Sequence, residues 1–138
     1  MKRYLLPVLM LLVASSSIAQ NKIPYRVVFD ITSNDTNVHK AIIRTVEGIR
    51  KDVPDANLEI VFYGQSLEMI TNGKSVVADK VKDLAAKKEV EFKVCQVAMK
   101  RQNVEPSQLL TGVQTVPDGI YEIITKQSEG WGYIKVAK

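Results

Sequence analysis

The order of apolar and polar positions divides the chain beyond residue 20 into alternating strand-like and helix-like stretches. Residues 25–31, YRVVFDI, form a nearly unbroken apolar run, the pattern of a strand covered on both faces, as parallel strands are. TSND at 32–35 supplies turn and N-cap residues; beyond it Val38, Ala41, Ile42, Val46 and Ile49 recur on one helical stripe, while His39, Lys40, Arg44, Glu47 and Lys51 fall on the polar side. That helix is expected to end near Pro54. Residues 58–63, LEIVFY, read as a second strand closed by Gly64, and the two strands with their intervening helix make a βαβ unit.

A short helix is expected over 65–70, a turn at Asn72 and Gly73, and a longer helix whose buried face carries Val77, Val81, Leu84 and Ala85. Residues 90–101, VEFKVCQVAMKR, then change period within one segment. Val90, Phe92 and Val94 alternate as in a strand, and after Cys95 the residues Val97, Ala98 and Arg101 fall at helical spacing. A further helical turn starts at Pro106, a short strand covers 112–116, and Pro117 with Asp118 as cap opens a last helix placing Ile120, Ile123, Ile124 and Gln127 on one face. Gly130 stops it, and residues 131–136, WGYIKV, form the final strand. Strands alternating with crossover-sized segments predict an α/β fold: a three-layer α/β/α sandwich, flavodoxin-like in style, around a mainly parallel sheet of about five strands.

Composition adds one domain and excludes little else. Of 138 residues 46% are apolar and 25% charged, an ordinary globular balance. The N-terminal MKRYLLPVLMLLVASSSIAQ has Lys2 and Arg3 in front, an apolar core from Leu5 to Ala14, and the small-residue ending Ser17, Ile18, Ala19. This is the form of a secretory signal cleaved after residue 19, and its ten-residue core is short of the roughly twenty that span a bilayer. The expectation is therefore a cleaved signal peptide over 1–19 and a single domain over 20–138, exported to a periplasmic or secreted location, with no membrane attachment after cleavage. Removing Lys2 and Arg3 from the 19 basic residues leaves 17 against 15 acidic ones, interspersed rather than clustered, which is no nucleic-acid surface.

Phosphate loops, nucleophile elbows, C-x-x-C and H-E-x-x-H motifs are missing, and no cofactor is implied. No metal site is expected either, because His39 is the only histidine and its spacing places it on the solvated side of its helix. The chemistry converges on Cys95, the sole cysteine, at a strand-to-helix junction. In open α/β sheets such junctions lie at the carboxyl edge where ligands collect, and first-turn N–H groups favour an anion there. One thiol in an exported chain is buried, paired with another chain, or kept reactive. The spacing predicts an accessible thiol with Lys100 and Arg101 more than a turn beyond it, and Ser33, Asn34 and Gln65 at neighbouring strand ends as weaker candidates to line a ligand pocket.

The order of elements, the cysteine after the third long strand, the VAMKRQNV segment, the LLTGVQTVPDG stretch and the closing EGWGYIKV together resemble the DsrE/DsrF-like family of sulfur-relay proteins. The resemblance covers nearly the whole mature chain, and only Cys95 carries over as a functional residue. It implies sulfur carried as a persulfide, a possible sulfurtransferase role with a donor and an acceptor left unidentified, and compact subunits assembled into a trimer or hexamer. The export signal departs from the cytoplasmic relay members. The alternative is a non-catalytic module that binds a small ligand or assembles with other copies, in which the cysteine merely packs.

Overall fold

The computed structural model describes residues 22–137; the expected signal peptide over 1–19 lies outside the described residues. Five parallel strands form one sheet: β1 (Arg26–Ile31), β2 (Asn57–Phe62), β3 (Glu91–Cys95), β4 (Val113–Val116) and β5 (Gly132–Val136), in the order β4-β3-β2-β1-β5. Their connections carry α1 (Thr36–Asp52), α2 (Ala78–Ala86), α3 (Gln96–Arg101) and α4 (Gly119–Ser128), with 3-10 turns at Ser66–Ile70 and Pro106–Gln108. From β1 to β4 each strand is laid beside the last, and the chain then returns across the sheet through α4 to pair β5 with β1.

The two faces of the sheet are unlike. On one, Phe29, Ile31, Ile60, Phe62, Phe92 and Val94 meet Val38, Ile42, Ile43 and Val46 of α1 and Val81 and Leu84 of α2 in the main core. Ala98 and Met99 of α3 join the same core. On the other face only α4 covers the sheet, and its buried apolar contact is a small cluster of Val28, Val61 and Ile123, flanked by Tyr63 and Trp131. Register explains the difference. Val28 is level with Glu59 and Tyr133, and Asp30 with Val61 and Lys135, so this face carries a polar row that the first face lacks.

Two readings of helix faces are corrected. His39 is buried, not solvated: its Nε2 lies 2.8 Å from the Ser33 carbonyl, which accepts the proton of that nitrogen. The buried stripe of α1 is turned toward His39, Ile42, Ile43 and Val46, and the backbone acceptor makes burial of the imidazole tolerable. In α4 only Ile123 of the expected apolar face is buried, while Ile120 and Ile124 are 56% and 54% exposed. The polar sheet face beneath α4 is the reason, since it is met by Lys126 and Glu122 rather than by more aliphatic side chains.

Candidate functional site

At the carboxyl edge the chain leaves β3 for the main-core face through α3 and leaves β4 for the opposite face through α4. Loops that part in this way open a crevice between neighbouring strands. Cys95 occupies it as the last residue of β3 and the N-cap of α3, with extended backbone angles and no side-chain capping bond. The alternating run that ends in Cys95 fixes this place, because Val94 must face the core and the next residue turns into a helix.

Asp118 opens α4 beside it, its Oδ1 accepting from the backbone N–H groups of Ile120 at 2.8 Å and Tyr121 at 3.2 Å. Gly119 lets that helix start come close: a Cβ there would stand 3.1 Å from the Cβ of Cys95 and 3.1 Å from Cγ1 of Val61. A cavity of about 150 Å³ lies in front of the thiol, walled by Tyr63, Gly64, Val97, Ala98, Arg101, Asp118 and Ile120. It is apolar over most of its wall and carries one cation and one anion. Arg101, which the sequence spacing placed out of reach, shares the cavity with the thiol because α3 is a single short helix whose end stays near its start.

The thiol is 6% exposed, so the accessible cysteine expected from the sequence is corrected to a buried one at the base of a small opening. The close approach of Gly119 at the start of α4 is one cause. A larger groove of about 460 Å³, lined by Gln96, Met99, Lys100 and Asn103 among others, lies elsewhere along α3 and does not include Cys95.

Ser33, Asn34 and Gln65 do not line the cavity. Ser33 Oγ accepts from the Asp35 N–H at 3.1 Å, the task of a turn residue, and Asn34 is exposed next to it. Gln65 is exposed as well, and its backbone N–H bonds the Thr32 carbonyl at 3.0 Å. Tyr63, which does line the cavity, was not among the sequence candidates, and it leads to a polar cluster on β1 and β5. Tyr63 donates its hydroxyl to Asp30 Oδ2 at 2.9 Å, Tyr133 donates to the same oxygen at 2.6 Å, and Lys135 Nζ reaches Asp30 Oδ1 at 3.0 Å. Asp30 is 4% exposed, and three donors compensate its burial. Burial first, and then the bond to Asp30, push the Tyr63 phenol well above its ordinary value. Tyr133 is pushed up to about 12, chiefly by its bond to Asp30 and then by burial. A lone acid inside the apolar run VVFDI, and a tyrosine directly after LEIVF, were the available signals.

Among the described residues no group of three or more His, Cys, Asp or Glu side chains gathers as a metal site, and no helix is long and apolar enough to cross a membrane.

Residues 15–136 match the model of the DsrE/DsrF-like family. The chain is similar to a solved protein of unknown function from Methanobacterium thermoautotrophicum, at 29% identity and a TM-score of 0.76, over 80% of this chain and 98% of that one. It shares its fold with the ychN protein from E. coli (10% identity, TM-score 0.67, 82% and 99% covered) and with a conserved protein of unknown function from Bacteroides thetaiotaomicron (13%, 0.67, 81% and 95%). No functionally curated protein matches it.

Proposed function

The chain belongs to the DsrE/DsrF-like family, and from that premise we propose that it is a sulfur carrier that holds sulfane sulfur as a persulfide on Cys95. The carrying observation is that the only cysteine closes β3 at the carboxyl edge and faces a cavity of its own. In the proposed step the Cys95 thiolate attacks the outer sulfur of a donor persulfide. The donor's S–S bond breaks, its inner sulfur leaves with the electron pair as a thiolate, and Cys95 bears the transferred sulfur. Delivery to an acceptor thiolate repeats the exchange in the other direction. Each transfer is redox-neutral and follows thiol–disulfide logic, so the donor persulfide supplies the sulfur and no separate oxidant or reductant is needed.

Cavity size supports a narrow reactant. At about 150 Å³ it admits the sulfur and a few neighbouring atoms, so the donor presents its persulfide on a slender side chain or small molecule. Arg101 offers a counter-charge for the persulfide anion. The reading also includes cleavage after residue 19, export of the mature chain, and assembly into a trimer or hexamer. Intact mass of the secreted protein tests the first of these, and retention of residues 1–19 would count against it.

A second reading, a binding or assembly module with a packing cysteine, draws support from the 6% exposure of Cys95. One experiment separates the two. The folded protein is treated with a low-molecular-weight persulfide and its mass measured, with Cys95→Ser as control. The carrier gains one sulfur atom and the control gains none. Uptake only after denaturation would make Cys95 structural and leave the module as the better account.

A further inference from the structure

The wall of the Cys95 cavity is held from behind. Tyr63 follows β2 and lines the cavity, and its ring carbon Cδ1 stands 3.6 Å from the place where a Gly119 Cβ would be. Its hydroxyl donates at 2.9 Å to Oδ2 of Asp30, a residue that does not line the cavity. Lys135 Nζ sits 5.5 Å from the ring centroid and also donates to Thr32 Oγ1 at 3.0 Å. The ring is thus fixed at its hydroxyl, across its face and along its edge, although the side chain is only half-buried and has Gly64 and solvent next to it. A half-buried tyrosine beside a glycine has room to swing outward, and what opposes that motion is the bond to a buried carboxylate.

We infer that the Asp30–Tyr63 hydrogen bond is a latch on the mouth of the Cys95 cavity, which makes Tyr63 a positioning residue for the sulfur chemistry. The inference rests on the carrier reading for its purpose and on the geometry for its existence. With the latch closed, the thiol or its persulfide is screened from bulk reductants and larger electrophiles. With it open, the outer sulfur is exposed to an acceptor. The elevated phenol of Tyr63 keeps it a donor throughout the neutral range, so the latch does not release by simple titration of that group.

Tyr133 supplies the internal control. It donates to the same Asp30 oxygen from β5, at 2.6 Å, yet does not line the cavity. Alkylation of Cys95 by iodoacetamide is measured by mass on the folded full chain for the wild type, Tyr63→Phe, Tyr133→Phe and Asp30→Asn. Tyr63→Phe is expected to react about 2- to 10-fold faster, the population shift that one net hydrogen bond accounts for. Asp30→Asn, which keeps the ring packing, is expected to accelerate the reaction too, and it serves if the phenylalanine variant does not fold. Tyr133→Phe is expected to react as the wild type does. Wild-type rates in both Tyr63→Phe and Asp30→Asn, or equal acceleration in Tyr133→Phe, would overturn the latch. Persulfide uptake, measured on the same proteins, reports separately: a wild type that takes up no sulfur defeats the carrier reading and leaves the alkylation difference standing.

Discussion

Glu59 has no exposed surface, and it stands on β2 under α4 with Lys126 Nζ 3.2 Å from Oε2 and Glu122 close by. Neither of its oxygens makes a well-formed hydrogen bond among the described residues. Burial pushes its carboxyl from 4.5 up to about 7, with Lys126 pulling the other way. The unfolded chain releases this proton near 4.5, so between there and about 7 the folded state holds more protons and stability falls as pH rises. Glu59→Gln is therefore expected to be nearly neutral at pH 4–5 and to stabilise by roughly 1–3 kcal/mol at pH 8. Thermal unfolding of both proteins at the two pH values checks it, and a larger gain at the acid end would contradict the assignment. Cys95 was legible at this scale because an alternating run and a helical one meet on it. The Asp30 cluster was not, since Tyr133 and Lys135 come from 103 and 105 residues away and their approach depends on a strand order that local pattern does not encode.

Among the elements, strand and helix positions followed the periodicity closely, from β1 at Arg26–Ile31 to β5 at Gly132–Val136. The face of α4 did not, because an amphipathic pattern presumes an apolar sheet beneath it and this sheet face carries Glu59, Asp30 and Lys93. The junction of α2 with β4 gives a sharper test. Gly112 has φ +93°, and a Cβ on it would lie 2.5 Å from the Cβ of Ala85. Helix α2 and strand β4 cannot both keep their places around that contact. Gly112→Ala is expected to cost about 2–4 kcal/mol from left-handed strain and overpacking together, read by denaturant unfolding. A loss below the usual helix-to-loop noise of about 0.5 kcal/mol would show that α2 is free to shift.

For the molecule as a whole, one sheet face is sealed by α1 and α2 and the other is crossed by α4 alone. Ile120, Tyr121 and Ile124 point outward from α4, and Tyr133 and Ile134 are exposed on the edge strand β5. Apolar surface exposed on α4 and along an edge strand is what subunit contacts use. Light scattering at micromolar concentration is expected to return a trimer or hexamer, and Ile124→Glu to shift it toward monomer; a monomeric wild type would defeat the assembly reading. The return of the chain through α4 also has a bearing on timing. Among the described strands β1 is made first and β5 last, yet they are neighbours, so one edge of β1 stays unpaired until β5 is made. The earliest described strand is completed by the latest, and a nascent chain that stops short of β5 lacks the Tyr133 and Lys135 that surround Asp30.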